Sequence, residues 1–501
     1  MKVLLLLLLT MALASAGAEV ERREINHAYV QAAAEKLAGE TYKARRVEWP
    51  PFLRDLSYDD YQRIRFKPED SLWRKDGLPF RVEFFHPGGL QQTPVILHEF
   101  THDYEQRIPF VRTYYDYQDL KVPGRLPGSL EYAGFRVLRP WKPGGRWDEI
   151  VSFLGTNYFR ALAADQRYGM SARGIAIDSG GPGGEEFPEF VEFWLGKPAA
   201  GDRSLTFHGL LDGPSVTGAY TFTITPGTET VVDVHATCFF RKRVANLGLA
   251  PLTSMFWFGE NSATRFGDFR GEVHDSDGLL VAPDGDTRLW RPLSNPRAVR
   301  WTDFPATVTG GFGLRQRDRD YGSYEDAEAR YERRPSVWVE PLGPWPEGRV
   351  RLVELPTNNE YADNVVAYWS PLVSPEPGQS LDFSYRLHWT NAPVFGGPPG
   401  WVDSTRQTVE AGRPKRTKFV VDFESAGLAA LAEDAPVAVD VTVPPHVAVL
   451  EKRAFRNHAN GSWRTVVLLD APEVSAPVEI RTRLALDGKP ITETWVDEWQ
   501  P

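Results

Sequence analysis

The sequence predicts an all-β protein: a large antiparallel sandwich followed by a smaller, immunoglobulin-like one. Three observations carry this. Short runs rich in β-branched and aromatic residues recur from about residue 63 onward, broken by Pro and Gly and without regular intervening helices. No repeat period is present, which argues against a propeller or a solenoid. A Pro- and Gly-rich stretch, TNAPVFGGPPGWV at 390–402, then separates these runs from a second set. The division expected is a leader at 1–18, a large sandwich at 19–389, a linker at 390–402 and a second sandwich at 403–501.

The leader, MKVLLLLLLTMALASAGA, has one Lys, an apolar run and then small residues fitting a cleavage site. It is too short for a membrane span and reads as an export signal, so no stable membrane insertion is expected. The one cysteine, Cys238, cannot form an internal disulfide. An exported chain of this size without disulfides suits a bacterial periplasm, and Cys238 in VVDVHATCFF reads as an apolar core filler. With 57 basic and 67 acidic residues, net charge −10, the chain lacks the basic stripe of a nucleic-acid binder. The 16 Trp, 18 Tyr and 28 Phe are an unusual ring content, and many of them are expected in the core. Rings beside Asp, Asn and Gly in loops are candidates to stack on sugar faces.

Residues 24–42 carry Ala and Leu at helical spacing and predict a helix that weakens at Gly39. Ser57 predicts the N-cap of a second short helix, with Asp60 in its first turn. Strands are then expected at Arg81–Phe85, Val95–Phe100, Phe135–Leu138, Glu149–Leu154, Glu189–Leu195, Ser204–Leu210, Ala219–Ile224 and Thr230–Phe240. Four more follow at Leu252–Phe258, Val350–Leu355, Val365–Trp369 and Leu381–Trp389. Beyond the linker, strands are expected at Thr417–Phe423, Val437–Val443, Val447–Phe455, Trp463–Leu469, Val478–Ala485 and Ile491–Trp495.

Long loops between strands usually mark a binding role. Gly155–Met170 is expected to hold a short helix. Its Tyr158, Arg160, Arg167 and Tyr168 mix donors with rings, as a sugar cleft would, although a polar helix on a solvated surface would look the same. Gly310–Tyr331 reads as a loop with a helical turn around Tyr324–Ala329, a candidate lid whose RQRDRD stretch forms local ion pairs. There Arg317 either reaches substrate or holds the loop.

Two acidic clusters stand out: Glu272, His274, Asp275 and Asp277 in GEVHDSDGLL, and Glu354, Glu360 and Asp363 in RLVELPTNNEYADNVVAYW. Two carboxylates from distant segments are what acid/base cleavage of a glycosidic bond requires. If the first segment is extended, Asp275 and Asp277 share a face, with His274 on the other. Asp363 sits at a loop-to-strand junction, beside Asn359, Tyr361 and Asn364, whose side chains can bond hydroxyls. Ordinary turn formers give the same letters, so residue types alone leave both readings open. A calcium loop fits poorly, because the Gly in Asp275–Asp286 comes too early and no Glu closes the loop. His98-Glu99-Phe100-Thr101-His102 spells a zinc-protease pattern, but one that works only on a helix, and here it follows a strand-like run.

These motifs, with MFWFGEN, YERRPSVWVEP, VPGRLPGSLEYAGFRV, FLGTNYFRALAADQRYGMSARG and EEFPEFVEFW, resemble the periplasmic glucan biosynthesis proteins of the G and D branches over essentially the whole mature chain. The leader has no twin-arginine pair, which tilts the resemblance toward the G branch. The resemblance implies a large carbohydrate-handling β-sandwich joined by a short linker to an immunoglobulin-like domain, and a periplasmic role in making β-1,2-linked glucan. It implies an inverting glycoside hydrolase, or a transglycosylase that in some relatives closes the chain into a ring. Asp363 falls in the motif of the general acid and Asp275 in that of the base, with the proton passing through ordered water or a sugar hydroxyl. His274, Asp277, Arg317, Asn359, Tyr361 and Asn364 join Tyr158, Arg160, Arg167 and Tyr168 as substrate-binding candidates. No metal or cofactor is implied. A non-catalytic glucan-binding scaffold serving a membrane glucan synthase is the alternative, and pairing into a homodimer stays open.

Overall fold

A computed structural model describes residues 24–500, apart from 46, 48, 124–125, 143, 263–265, 285–286, 306–309, 393–398 and 472–475. The leader at 1–18, residues 393–398 of the expected linker and Asp286 therefore lie outside the described residues. The fold is all-β as expected, with two large sheets of 10 and 15 strands and a third of four.

The two large sheets face each other across one core. Phe135 and Phe153 of the smaller meet Phe193, Phe207 and Phe222 of the larger, with the Phe153 and Phe222 ring centroids 5.0 Å apart. Each of these rings is essentially excluded from water, an exclusion worth about 1.5–3 kcal/mol per side chain. Cys238 and Tyr220 are enclosed in the same core, and burial pushes the Cys238 thiol up to about 12, as befits a filler.

The first helix, His27–Ala38, is capped by Asn26, whose side chain accepts from the Tyr29 amide at 3.0 Å. Its Val30 and Ala34 pack on Trp194, Leu210 and Ala219, the outer face of the larger sheet. Ser57 caps Tyr58–Arg63 as its sequence position predicts.

Two strand pairings depart from the antiparallel expectation. Glu189–Gly196 runs parallel to Ile96–Phe100, and Leu289–Pro292 runs parallel to Thr494–Trp499, with Trp290 opposite Trp495. The second pairing makes the 15-stranded sheet continuous from the large sandwich into the C-terminal strands. Those strands and the four-stranded sheet enclose a second core, where Phe419, Phe423 and Trp463 meet Trp495 and Trp499. Trp290 and Trp338 of the large sandwich enter the same cluster, so the smaller sandwich is packed against its neighbour and shares a sheet with it.

Several strands were not legible. Gly278–Val281, Leu289–Pro292 and Phe312–Arg315 are buried on both faces and so show no alternation of apolar and polar residues. Trp401–Glu410 is mostly exposed and polar and begins inside the stretch expected to be linker. The helix expected in Gly155–Met170 is absent. Tyr158–Ala161 is instead a strand, with Phe159 and Ala161 buried and Tyr158 and Arg160 half-buried, a period of two that the surrounding Ala residues obscured. The expected lid begins with the core strand Phe312–Arg315, and its helical turn lies at Tyr321–Tyr324.

Candidate functional site

The short strand Val273–His274 pairs with Phe256–Phe258, placing Phe256 opposite His274. Asp275 follows at a bend, its amide donating to the Met255 carbonyl at 2.8 Å. Its carboxylate, 4 % exposed, accepts from the guanidinium of Arg334, which also lies 4.1 Å over the Tyr331 ring.

The second acidic motif reaches the same place through Asn364. Its side-chain oxygen accepts from the Phe256 amide at 2.8 Å, and its nitrogen donates to the Phe256 and Leu355 carbonyls at 3.0 and 2.9 Å. One buried amide thus fastens the strand beside His274 to the junction that carries Asp363. Asp363 itself is exposed, at the entry to Val365–Pro371.

Burial raises the Asp275 pKa, Arg334 opposes that rise, and the charge of Asp363 adds to it. The same Asp363 charge raises the phenol of Tyr158, which burial pushes up to about 12, and Arg160 acts on both Asp275 and Tyr158. Asp275, Asp363, Tyr158, Arg160 and Arg334 therefore share one electrostatic neighbourhood. The guanidinium of Arg173 sits 4.6 Å from the Tyr158 ring centroid, bracing it.

A further guanidinium holds the rim. Arg270 donates to Asp268, Asp326 and Glu360, each at 2.8 Å, and Tyr331 donates to Glu360. The loop before Asp363 is thereby tied to the segment that supplies Tyr331 and Arg334. Such forked pairing to several carboxylates is a task that suits Arg and not Lys. Residue-by-residue reading passed over Arg270, Tyr331 and Arg334. The signal available was YERRPSVWVEP, a stretch noted for its resemblance without its side chains being given roles.

The expected binding residues divide. Tyr361 is 90 % exposed, while Asn359 shapes the turn before it, accepting from the Tyr361 amide. Arg167 is exposed, with its amide donating to the Arg333 carbonyl at 3.0 Å. Tyr168 is turned to the protein, its hydroxyl donating to Glu149. Asn364 is enclosed at 2 % exposure, all its polar groups committed to the backbone. His274 is 1 % exposed, held between Gln316 at 3.0 Å and Glu272 at 2.7 Å. The neighbouring carboxylates of Asp277 and Glu272 outweigh its burial and lift its pKa to about 9.

Asp277 and Asp275 do not share a face. The bend at Asp275 sends Asp277 to the His274 side, 3.5 Å from the imidazole, where its carboxylate accepts from the Arg317 and Asp318 amides. Arg317 turns away from Asp275. Its guanidinium lies 3.5 Å from the Trp290 ring centroid and bonds Glu493 and the Val402 carbonyl, joining the two sandwiches. It pairs with a remote carboxylate, not within RQRDRD. His98 lies on the strand Ile96–Phe100, paired with Glu192 and Glu105 at 2.7 and 3.1 Å. Glu354 is likewise spent on Arg291 and Ser294.

Fold and site together define an all-β protein in which remote segments deliver an enclosed carboxylate, an exposed carboxylate and flanking rings and guanidinium groups to one place. The family model described as "Periplasmic glucan biosynthesis protein, MdoG" matches residues 25–499, and the chain belongs to that family. It is 42 % identical over 477 residues to "Glucans biosynthesis protein G" of Pseudomonas paraeruginosa, covering 93 % of this chain and 91 % of that one. It is 43 % identical over 474 residues to the protein of the same name from Ralstonia nicotianae, covering 93 % and 94 %. Among the described residues no helix is long and apolar enough to cross a membrane.

Proposed function

We propose that this protein acts in periplasmic glucan biosynthesis as an endo-acting, inverting hydrolase or transglycosylase on β-1,2-glucan, with Asp363 as general acid and Asp275 as base. The observation that carries the reading is the unequal setting of the two carboxylates. Asp363 is exposed at the rim, where a leaving oxygen has access to it. Asp275 is enclosed, with Arg334 favouring its ionised form and burial raising its basicity. An acid and a base held in different environments are what general acid/base cleavage uses. In this reading Tyr158, Arg160 and Tyr361 supply the rings and donors that receive sugar units; all three have side chains at least partly open to solvent.

The size of the products tests this. Mature wild-type protein incubated with linear β-1,2-glucan is expected to give shorter chains with new reducing ends, or rings if it transfers. Asp363→Asn keeps the size of the side chain but cannot supply the proton, and is expected to leave the glucan intact while still binding it. Normal turnover by that variant would sink the assignment. Unchanged glucan in both samples, with binding confirmed, would favour a scaffold serving a membrane glucan synthase. The family name and the exposed ring of Tyr361 support glucan contact under either reading.

A further inference from the structure

The outer face of the larger sheet carries a row of polar side chains under the start of the first helix. Strand register sets His208 opposite Thr221, Thr221 opposite His235, and Thr237 opposite Asp382. His235 and Thr237 are two residues apart on one strand and so face the same way. Into this row the helix inserts its first residue, His27, whose ring stacks on that of His235 with centroids 3.8 Å apart.

We propose that His27, His235 and Asp382 form a binding site for a divalent transition-metal ion, with Zn2+ the ion the donors suit. One donor atom from each residue lies within 4.8 Å of the others, although the three come from segments more than a hundred residues apart. Two imidazoles and a carboxylate are a ligand set for Zn2+, which takes three protein ligands and leaves a fourth position to water. Ca2+ and Mg2+ would want more oxygen ligands than this site offers. Asp382 is exposed and both histidines are partly so, so an ion can reach them from solvent.

The surrounding hydroxyls are placed to orient the donors. Thr237 donates to Asp382 Oδ2 at 2.7 Å and lies 2.9 Å from His27 Nε2, while His235 Nε2 lies 2.9 Å from the same Asp382 oxygen. Thr221 Oγ1 lies 2.9 Å from His27 Nδ1. His27 would bind the ion through Nε2 as the neutral tautomer that carries its one proton on Nδ1, and that N–H donates to Thr221 Oγ1, the kind of outer partner that fixes a ligating imidazole. Donor atoms around a tetrahedral Zn2+ lie about 3.3 Å apart, against separations of up to 4.8 Å here, so the side chains must close in by at most about 1.5 Å, a rotation of two partly exposed rings. The bound ion would tie the start of the helix to two neighbouring strands of the sheet.

The test uses the full mature chain, tag-free and stripped of metal, titrated with Zn2+ in a calorimeter. Wild type is expected to take up one ion per chain and to melt at a higher temperature with Zn2+ present. Asp382→Asn and His235→Gln, at solvent-reached positions, are each expected to weaken uptake at least about tenfold and to abolish the shift in melting temperature. Circular dichroism confirms that each variant is folded. Co2+ supplies a second measurement on wild type alone: a tetrahedral visible spectrum supports the site. Absence of saturable binding, or binding that both variants retain unchanged, overturns the proposal.

Discussion

Arg334 is the counter-ion of Asp275. The two residues are far apart in sequence, yet the guanidinium bonds the carboxylate within an enclosure that leaves Asp275 almost no contact with water. An ionised carboxylate in such a place depends on that partner, because an unpaired buried charge is strongly disfavoured.

Removing the partner should therefore show in both stability and pH dependence. Arg334→Met is expected to destabilise the fold by about 3 kcal/mol, read by urea denaturation near neutral pH. The Asp275 pKa, already raised, rises further once Arg334 no longer opposes burial. As the proposed base, Asp275 must be ionised to act, so under the proposed function the acid limb of the pH profile for glucan cleavage should move to higher pH.

Gly169 packs against this arginine. A Cβ built at Gly169 would lie 2.8 Å from Arg334 Cβ and 3.0 Å from its Cδ. Overpacking of this kind typically costs about 1–3 kcal/mol. Gly169→Ala is expected to shift Arg334 off Asp275 and, under the proposed function, to lower the rate of glucan cleavage while the protein stays folded. A variant with wild-type rate and pH profile would show that Arg334 has room to yield.

Asn364 makes a different prediction because its three bonds reach only backbone. Asn364→Ala leaves the Phe256 amide and two carbonyls without those partners, a loss of roughly 2–3 kcal/mol in thermal or urea unfolding. Hydrogen exchange should speed up at Phe256–Phe258 and in residues 355–363, the two segments it joins. Exchange unchanged at both would mean that Asn364 is not what holds Asp363 in place.

At the junction of the sandwiches, burial pushes the Glu260 carboxyl up to about 8, despite its pairing with Arg406 and the bond it accepts from the Thr405 amide. A carboxyl raised above its unfolded value binds its proton more tightly in the native state. Its contribution is therefore full below the ordinary value of 4.5 and falls away as pH rises toward 8. Across that window the loss is at most about 5 kcal/mol. Glu260→Gln, which cannot ionise, should flatten the decline, measured as urea stability at pH 5 and pH 8. A decline as steep as that of wild type would remove Glu260 as its source.

Much of the architecture was legible because its signals are local. Ser57 caps its helix, Thr230–Ala236 alternates in burial at the start of its strand, and Pro and Gly end the runs between. The acidic segments holding Asp275 and Asp363 could also be singled out, since carboxylates beside turn formers are visible in the letters alone. The strands buried on both faces escaped notice because a uniform environment leaves no period to detect. The helix expected around Tyr158 failed where Ala propensity, a weak local preference, yielded to pairing in a sheet.

The sequence by itself determined an all-β chain, its principal strands and the two motifs from which the site is made. Only the tertiary structure decided which members of those motifs meet. Asp275 goes to Arg334 while Asp277, two residues on, goes to the Arg317 and Asp318 amides. Asn364 serves the fold, and Tyr361 is left free in solvent. The reason is physical. A side chain's partners are set by bends and by pairings such as Phe256 with His274, which join segments whose separation along the chain carries no trace of their contact.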